Sequence, residues 1–88
     1  MLKIEQGDVV MSVKGRDNGY LYFVKDVVDN DVYLMNGKNR TQKNLKKKNI
    51  KHIKLMNICV NDIKNKIKNG EKFQDSDIKK QIDNLNVI

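Results

Sequence analysis

Turn-forming clusters divide residues 1–56 of this chain into runs of strand length. Gly15-Arg16-Asp17-Asn18-Gly19 is a loop in which glycine and asparagine take the positive φ that other residues resist, and Asp29-Asn30-Asp31 turns the chain again. Asn36-Gly37 is a strong hairpin signal, because a type I′ turn needs positive φ at both positions. The runs between these turns carry β patterning. Over residues 8–14, Val9, Met11 and Val13 fall on one face and Asp8, Ser12 and Lys14 on the other, with Val10 the one exception. Residues 20–28 are β-branched and aromatic with apolar side chains on both faces, which predicts a long central strand kinked near Lys25 and Asp26. Residues 32–35 form a third strand and residues 38–41 return as a fourth. After a lysine-rich connection that contributes little to the core, residues 50–55 form a fifth, with Ile53 and Leu55 inward and His52 and Lys54 outward. The predicted core includes Val9, Val13, Val24, Val27, Leu34 and Ile53.

The periodicity changes beyond residue 56. Asn57 is placed to cap a helix in which Val60, Ile63 and Ile67 recur at helical spacing, and Gly70 ends it. A second helix starts near Asp75 or Ser76 and aligns Ile78, Ile82 and Leu85. Each helix is short, so each needs its apolar stripe docked to be stable, and docking on the strands is the expected solution. Cys59, at the start of this segment, reads as a small packing residue. The expected fold is mainly β: a small SH3-like barrel of five strands over residues 1–56, with a C-terminal helical extension over residues 57–88 packed on it as a single folding unit. With 88 residues there is room for one domain.

Composition narrows the function classes. One cysteine and one histidine, Cys59 and His52, assemble neither an intrachain disulfide nor the usual zinc sets, so no metal or cofactor is expected. No stretch approaches the apolar length of a membrane span, and the N-terminus lacks a signal-type apolar region, which predicts a cytoplasmic protein without a membrane partner. Net charge is +7, and its distribution is uneven. Residues 38–54 carry Lys38, Arg40, Lys43, Lys46, Lys47, Lys48, Lys51 and Lys54 and no acid, while the preceding residues are net acidic. A coding bias toward lysine does not explain the missing acids, so this window points to an anionic partner.

One stretch carries a family resemblance. Gly7-Asp8-Val9-Val10-Met11-Ser12-Val13-Lys14-Gly15-Arg16-Asp17-Asn18-Gly19, followed by a hydrophobic strand with Val24 and Val27, resembles the KOW motif of large-subunit ribosomal proteins and transcription elongation factors. Residues 44–53, lysine-rich and leading into a strand that contains His52, are similar to the corresponding segment of short bacterial KOW-domain RNA-binding proteins related to archaeal and eukaryotic-type ribosomal proteins. Tyr22 stands where many such motifs have a second glycine, and Asn18 where lysine is common. The resemblance covers roughly residues 5–56 and implies association with ribosomal RNA or the ribosome.

The residues themselves argue against catalysis. His52 is the only imidazole, its neighbours Lys51 and Lys54 are cations rather than orienting acids, and the acids show no paired spacing. No phosphate-binding loop of the Walker or dinucleotide type is present. The expected activity is RNA binding by a monomeric, non-enzymatic protein. Lys38, Arg40, Lys43, Lys46, Lys47, Lys48, Lys51 and Lys54 would contact phosphates, and Lys14, Arg16 and Asn18 would add contacts from the first loop. Tyr20 or Tyr22 would stack on an unpaired base, with His52 as a further stacking candidate, while Tyr22 and Tyr33 fit core packing better. The alternative is a protein-interaction module of the transcription or translation machinery that uses the barrel or the helical stripe to dock a protein partner.

Overall fold

The computed structural model describes residues 3–85. Five strands form one antiparallel sheet: β1 (Val9–Ser12), β2 (Leu21–Val28), β3 (Asp31–Met35), β4 (Lys46–Asn49) and β5 (Ile53–Leu55), in the spatial order β4-β3-β2-β1-β5. Two helices follow, α1 (Asn61–Asn69) and α2 (Asp75–Leu85). The two edge strands β4 and β5 are consecutive in the chain and are joined by the 3₁₀ turn Ile50–His52. In a flat sheet these edges would stand four strand spacings apart, about 19 Å. Even fully extended, the four residue steps from Asn49 to Ile53 reach only about 14 Å. The sheet therefore curls, bringing its edges toward each other without a β4–β5 ladder.

Curling gives the sheet two buried faces. Val10, Tyr22, Val24, Val32, Leu34 and Ile53 pack together on the inner face, with Ile50 and Leu55 against them. Val9, Leu21, Phe23 and Met35 point the other way and are covered by Ile63 and Ile67 of α1 and Ile78 and Ile82 of α2. Each of these isoleucines, once buried, contributes roughly 1.5–3 kcal/mol. That docking stabilises helices too short to persist alone. No helix among the described residues is long and apolar enough to cross a membrane.

Double-sided burial corrects the strand reading at several points. Val10 is no exception, because both faces of β1 are covered and Val9 and Val10 are equally inaccessible. Val13, expected in the core, is 40% exposed. β1 ends at Ser12, and Val13 opens the following loop with its N–H donating to His52 O. Val27 is only partly buried, because it follows the bulge. Val9, Val24, Leu34 and Ile53 are buried as expected. The kink expected near Lys25 and Asp26 is a β-bulge: the register passes from Val24 opposite Leu34 to Asp26 opposite Tyr33.

The fourth strand lies elsewhere than expected. Residues 38–41 form no strand, and the lysine run itself, Lys46–Asn49, pairs with β3. Asn36 does not enter a type I′ turn. It is buried, and its side-chain Oδ1 accepts from the backbone N–H groups of Lys38 and Arg40 at 2.9 and 3.1 Å, organising a long β3–β4 loop over residues 36–45. Gly37, at φ +76°, is required by packing: a Cβ there would run into the backbone of Asp75 and Lys79 in the first two turns of α2. Gly7 serves α1 likewise, since a Cβ would approach Lys64 Cα to 2.7 Å.

The fifth strand is shorter than expected, residues 50–52 being the 3₁₀ turn that spans the edges. Asn57 does not cap α1. It turns the chain at φ +55°, and the helix begins at Asn61 without a side-chain cap. Cys59 is exposed rather than packed, with its thiol 2.9 Å from Asn61 Oδ1. Gly70 terminates α1 in the left-handed conformation, as expected.

Ion pairs tie both helices to the sheet. Lys64 bridges Asp8 at 2.8 Å and Glu5 at 3.0 Å. These two acceptors raise its ammonium above the ordinary lysine range, against the smaller opposing effect of burial. Gln42, in the β3–β4 loop, donates its backbone N–H to Asp75 Oδ1 at 3.0 Å and its amide to Phe73 O at 3.0 Å, which anchors the start of α2. Gly37→Ala should therefore cost more than Gly19→Ala. Both residues have positive φ, worth roughly 1–2 kcal/mol, but Gly19 has nothing within 4 Å while Gly37 adds an overpacking cost of about 1–3 kcal/mol. Urea denaturation of the two variants measures the difference.

Candidate nucleic-acid interface

The β1–β2 loop is built around a buried acid. Asp17 sits between Gly15 and Gly19, and its carboxylate turns inward. Its Oδ1 accepts from Ser12 Oγ at 2.8 Å and Lys48 Nζ at 2.6 Å, and its Oδ2 accepts from Tyr22 OH at 2.8 Å. Lys46 Nζ stands 3.9 Å from Oδ2. The backbone of the loop closes on itself, with Gly19 N–H donating to Ser12 O and Tyr20 N–H to Asp17 O. Burial alone would push the Asp17 carboxyl up, but the bonds from Lys48, Ser12 and Tyr22 outweigh it and hold the carboxyl at about 2. Burial, followed by the bond to Asp17, pushes the Tyr22 phenol above its ordinary range.

This arrangement divides the lysine run by strand alternation. Lys46 and Lys48 lie opposite Leu34 and Val32 in β3, whose side chains face inward, so their ammonium groups reach across the curled sheet to the loop. Lys48 also donates to Lys14 O, and its side chain is only 9% exposed. Lys47 faces outward, 63% exposed, 3.7 Å from Asp31. Lys38 pairs with Asp83 of α2 at 2.6 Å, and that bond, with a second from Lys79, lowers the Asp83 carboxyl below its ordinary range. Acids outside the basic window thus engage Lys38, Lys46, Lys47 and Lys48.

The remaining cations of the window, Arg40, Lys43, Lys51 and Lys54, lie within 4 Å of no acid among the described residues. Lys43, Lys51 and Lys54 are exposed, and Arg40 is half-buried with Nη1 3.5 Å from Asn44 Oδ1. In the first loop Lys14, Arg16 and Asn18 are exposed, and Tyr20 is 52% exposed. The sheet brings these segments together. Val13 N–H donates to His52 O and Met11 pairs with Lys54, which puts the first loop beside Lys51, the half-buried His52 and Lys54. On its other flank, Gly19 and Tyr20 share a cleft with Asn36, Lys38 and Asn39 of the β3–β4 loop. The exposed cations therefore fall on different sides of the first loop, which itself carries Lys14 and Arg16: Lys51 and Lys54 on the β5 side, and Arg40 and Lys43 in the β3–β4 loop.

Asp17 is the residue that sequence reasoning missed, whereas its partner Tyr22 is buried, as the core-packing reading expects. Asp17 looked like an ordinary turn former, and nothing local relates it to a lysine 31 positions away. Among the described residues no three His, Cys, Asp or Glu side chains come together as a metal site. No protein-family model matches the chain, and no curated protein does.

The lysines of β4 should separate by role. Lys48→Gln leaves Asp17 short of its closest cation and should lower stability by about 1–3 kcal/mol, whereas Lys47→Gln should stay within about 0.5 kcal/mol. Chemical denaturation reads both. The Asp17 carboxyl is also a source of pH dependence. Its folded-state value of about 2 lies below the ordinary 3.8, so its contribution is complete above about pH 4 and is lost as pH falls toward 2. Asp17→Asn should be less stable than the parent by about 2 kcal/mol at neutral pH, with the gap closing between pH 4 and pH 2 in urea titrations at stepped pH.

Proposed function

We propose that this chain is a non-catalytic RNA-binding module, an SH3-like barrel of the KOW type that grips the phosphate backbone, with ribosomal RNA its first ligand to test. The observation that carries the reading is the set of cations, on the first loop and on the segments that flank it, that lie within 4 Å of no acid among the described residues. Half of the basic window is paired with Asp17, Asp31 and Asp83, yet among the described residues Arg40 and Lys43 in the β3–β4 loop and Lys51 and Lys54 on the β5 side of the first loop have no acid partner. Cations gathered on rigid strands and tight loops suit the recognition of a polyanion, since phosphate contacts position a nucleic acid without reading its sequence.

Two further features support the choice. The strand order, with a 3₁₀ turn between the last two strands, and the motif over residues 7–19 agree with a KOW-type barrel. The apolar stripes of both helices are buried against the sheet, so the helical face is not free to dock a protein partner. The binding should be mainly electrostatic. With about four phosphate contacts at about −0.7 each, log K against log salt should have a slope near −3 for single strands, roughly a fifty-fold loss of affinity between 50 and 200 mM salt. Fluorescence anisotropy with labelled ribosomal RNA fragments gives the slope. Changing Lys43, Lys51 and Lys54 together to Gln should flatten it by about 2 while leaving the urea midpoint nearly unchanged, because all three are exposed. A slope near zero in the parent protein would overturn the reading.

A further inference from the structure

One exposed side chain near these cations is aromatic. Tyr20 is the only exposed aromatic side chain among the described residues: Tyr22 and Phe23 are buried, and Tyr33 and Phe73 are half-buried. Its backbone is held firmly, with the N–H donating to Asp17 O and the carbonyl accepting from Ser12 N–H. Its hydroxyl makes no hydrogen bond among the described residues. The ring therefore stands on a rigid loop with a free face.

That ring forms one wall of a cleft of about 380 Å³, lined by Gly19, Leu21, Asn36, Lys38, Asn39 and Ile82. Leu21 and Ile82 are buried and give it an apolar floor, and a volume near the lower end of the small-ligand range suits one base rather than a stack. Asn39 supplies a polar edge of defined sense. Asn36 Oδ1 accepts two backbone N–H groups, so its amide must present Nδ2 to Asn39 Oδ1, at 2.9 Å. The Asn39 Nδ2 group is then turned away from this bond, and its N–H donors have no acceptor among the described residues.

We infer that the cleft between the β1–β2 loop, the β3–β4 loop and α2 receives one unpaired base of single-stranded RNA, stacked on Tyr20 and hydrogen-bonded at its edge by Asn39. The inference rests on the RNA-binding reading and specifies which RNA is taken. Charge complementarity favours this occupant, since Arg16 lies on one loop of the cleft and Arg40 and Lys43 lie on the other, where the flanking phosphates run. Lys38, at the lip, is occupied by Asp83. A paired base in a helix exposes no face for the ring, whereas a single strand does.

The test compares a short unstructured RNA with the same strand paired to its complement, at low salt. Tyr20→Ala should weaken binding of the single strand roughly tenfold and change duplex binding less than twofold, while Tyr20→Phe keeps the single-strand affinity. The chain has no tryptophan, so tyrosine emission is a direct probe. It should be quenched by the single strand in the parent protein and much less in Tyr20→Phe, whose remaining tyrosines are buried or half-buried and line no part of the cleft. Thermal melts verify that the variants are folded. If the parent binds both RNAs with a steep salt dependence and Tyr20→Ala alters neither, the base cleft is wrong and the electrostatic reading survives. If the parent binds neither RNA, both are wrong.

Discussion

A three-residue turn, Ile50–His52, connects the two outer strands of the sheet, and that short tether dictates the shape of everything around it. Strands that would lie about 19 Å apart in a flat sheet are brought within reach of a few residues only by curling. Curling encloses Val10, Tyr22, Val24 and Leu34 on the concave side and leaves Val9, Phe23 and Met35 on a convex side that would be wet without the helices. The helices are consequently part of the core. Their close approach depends on Gly7 and Gly37, where a side chain would meet helix backbone.

The same curvature brings the β1–β2 loop under the inner side of β4, and there the carboxylate of Asp17 meets Lys48. A charged group so thoroughly buried is tolerable only when its hydrogen-bonding capacity is used, and Ser12, Tyr22 and Lys48 use it. Lys48 is in turn bound to the carbonyl of Lys14. The polar cluster thus fastens the first loop to the far edge of the sheet, in the gap where no backbone ladder joins β4 to β5. The loop carrying Arg16 and Tyr20 is thereby held in place at both of its flanks.

Two sets of cations can be told apart by their partners. Lys46, Lys48 and Lys64 bind acids contributed by distant parts of the chain and hold the fold together, while Lys14, Arg16, Arg40, Lys43, Lys51 and Lys54 have no such partners among the described residues. The proposed RNA contacts belong to the second set. The proposed base cleft lies between the loops that carry Arg16, Arg40 and Lys43, because the β1–β2 and β3–β4 loops emerge at the same end of an antiparallel sheet.

Strand patterning, the glycine turns and the two isoleucine stripes were legible in the sequence, because each depends on neighbours within a few residues: the loop 15–19, the bulge after Val24, the stops at Gly70 and the buried Ile63, Ile67, Ile78 and Ile82. The excess of cations over residues 38–54 was legible too. Which of those cations are free was not. Lys46-Lys47-Lys48 reads locally as a solvated connection, yet it forms a strand whose alternation sends two ammonium groups inward to an acid far away in sequence. Asn36-Gly37 reads as a hairpin turn, yet α2, nearly forty residues later, decides what Gly37 is for. Local pattern determined the first three strands, the two helices and the total charge. Only the folded chain decided which charges are neutralised, because the partners of a buried ion are set by curvature and strand register, which no short stretch of sequence contains.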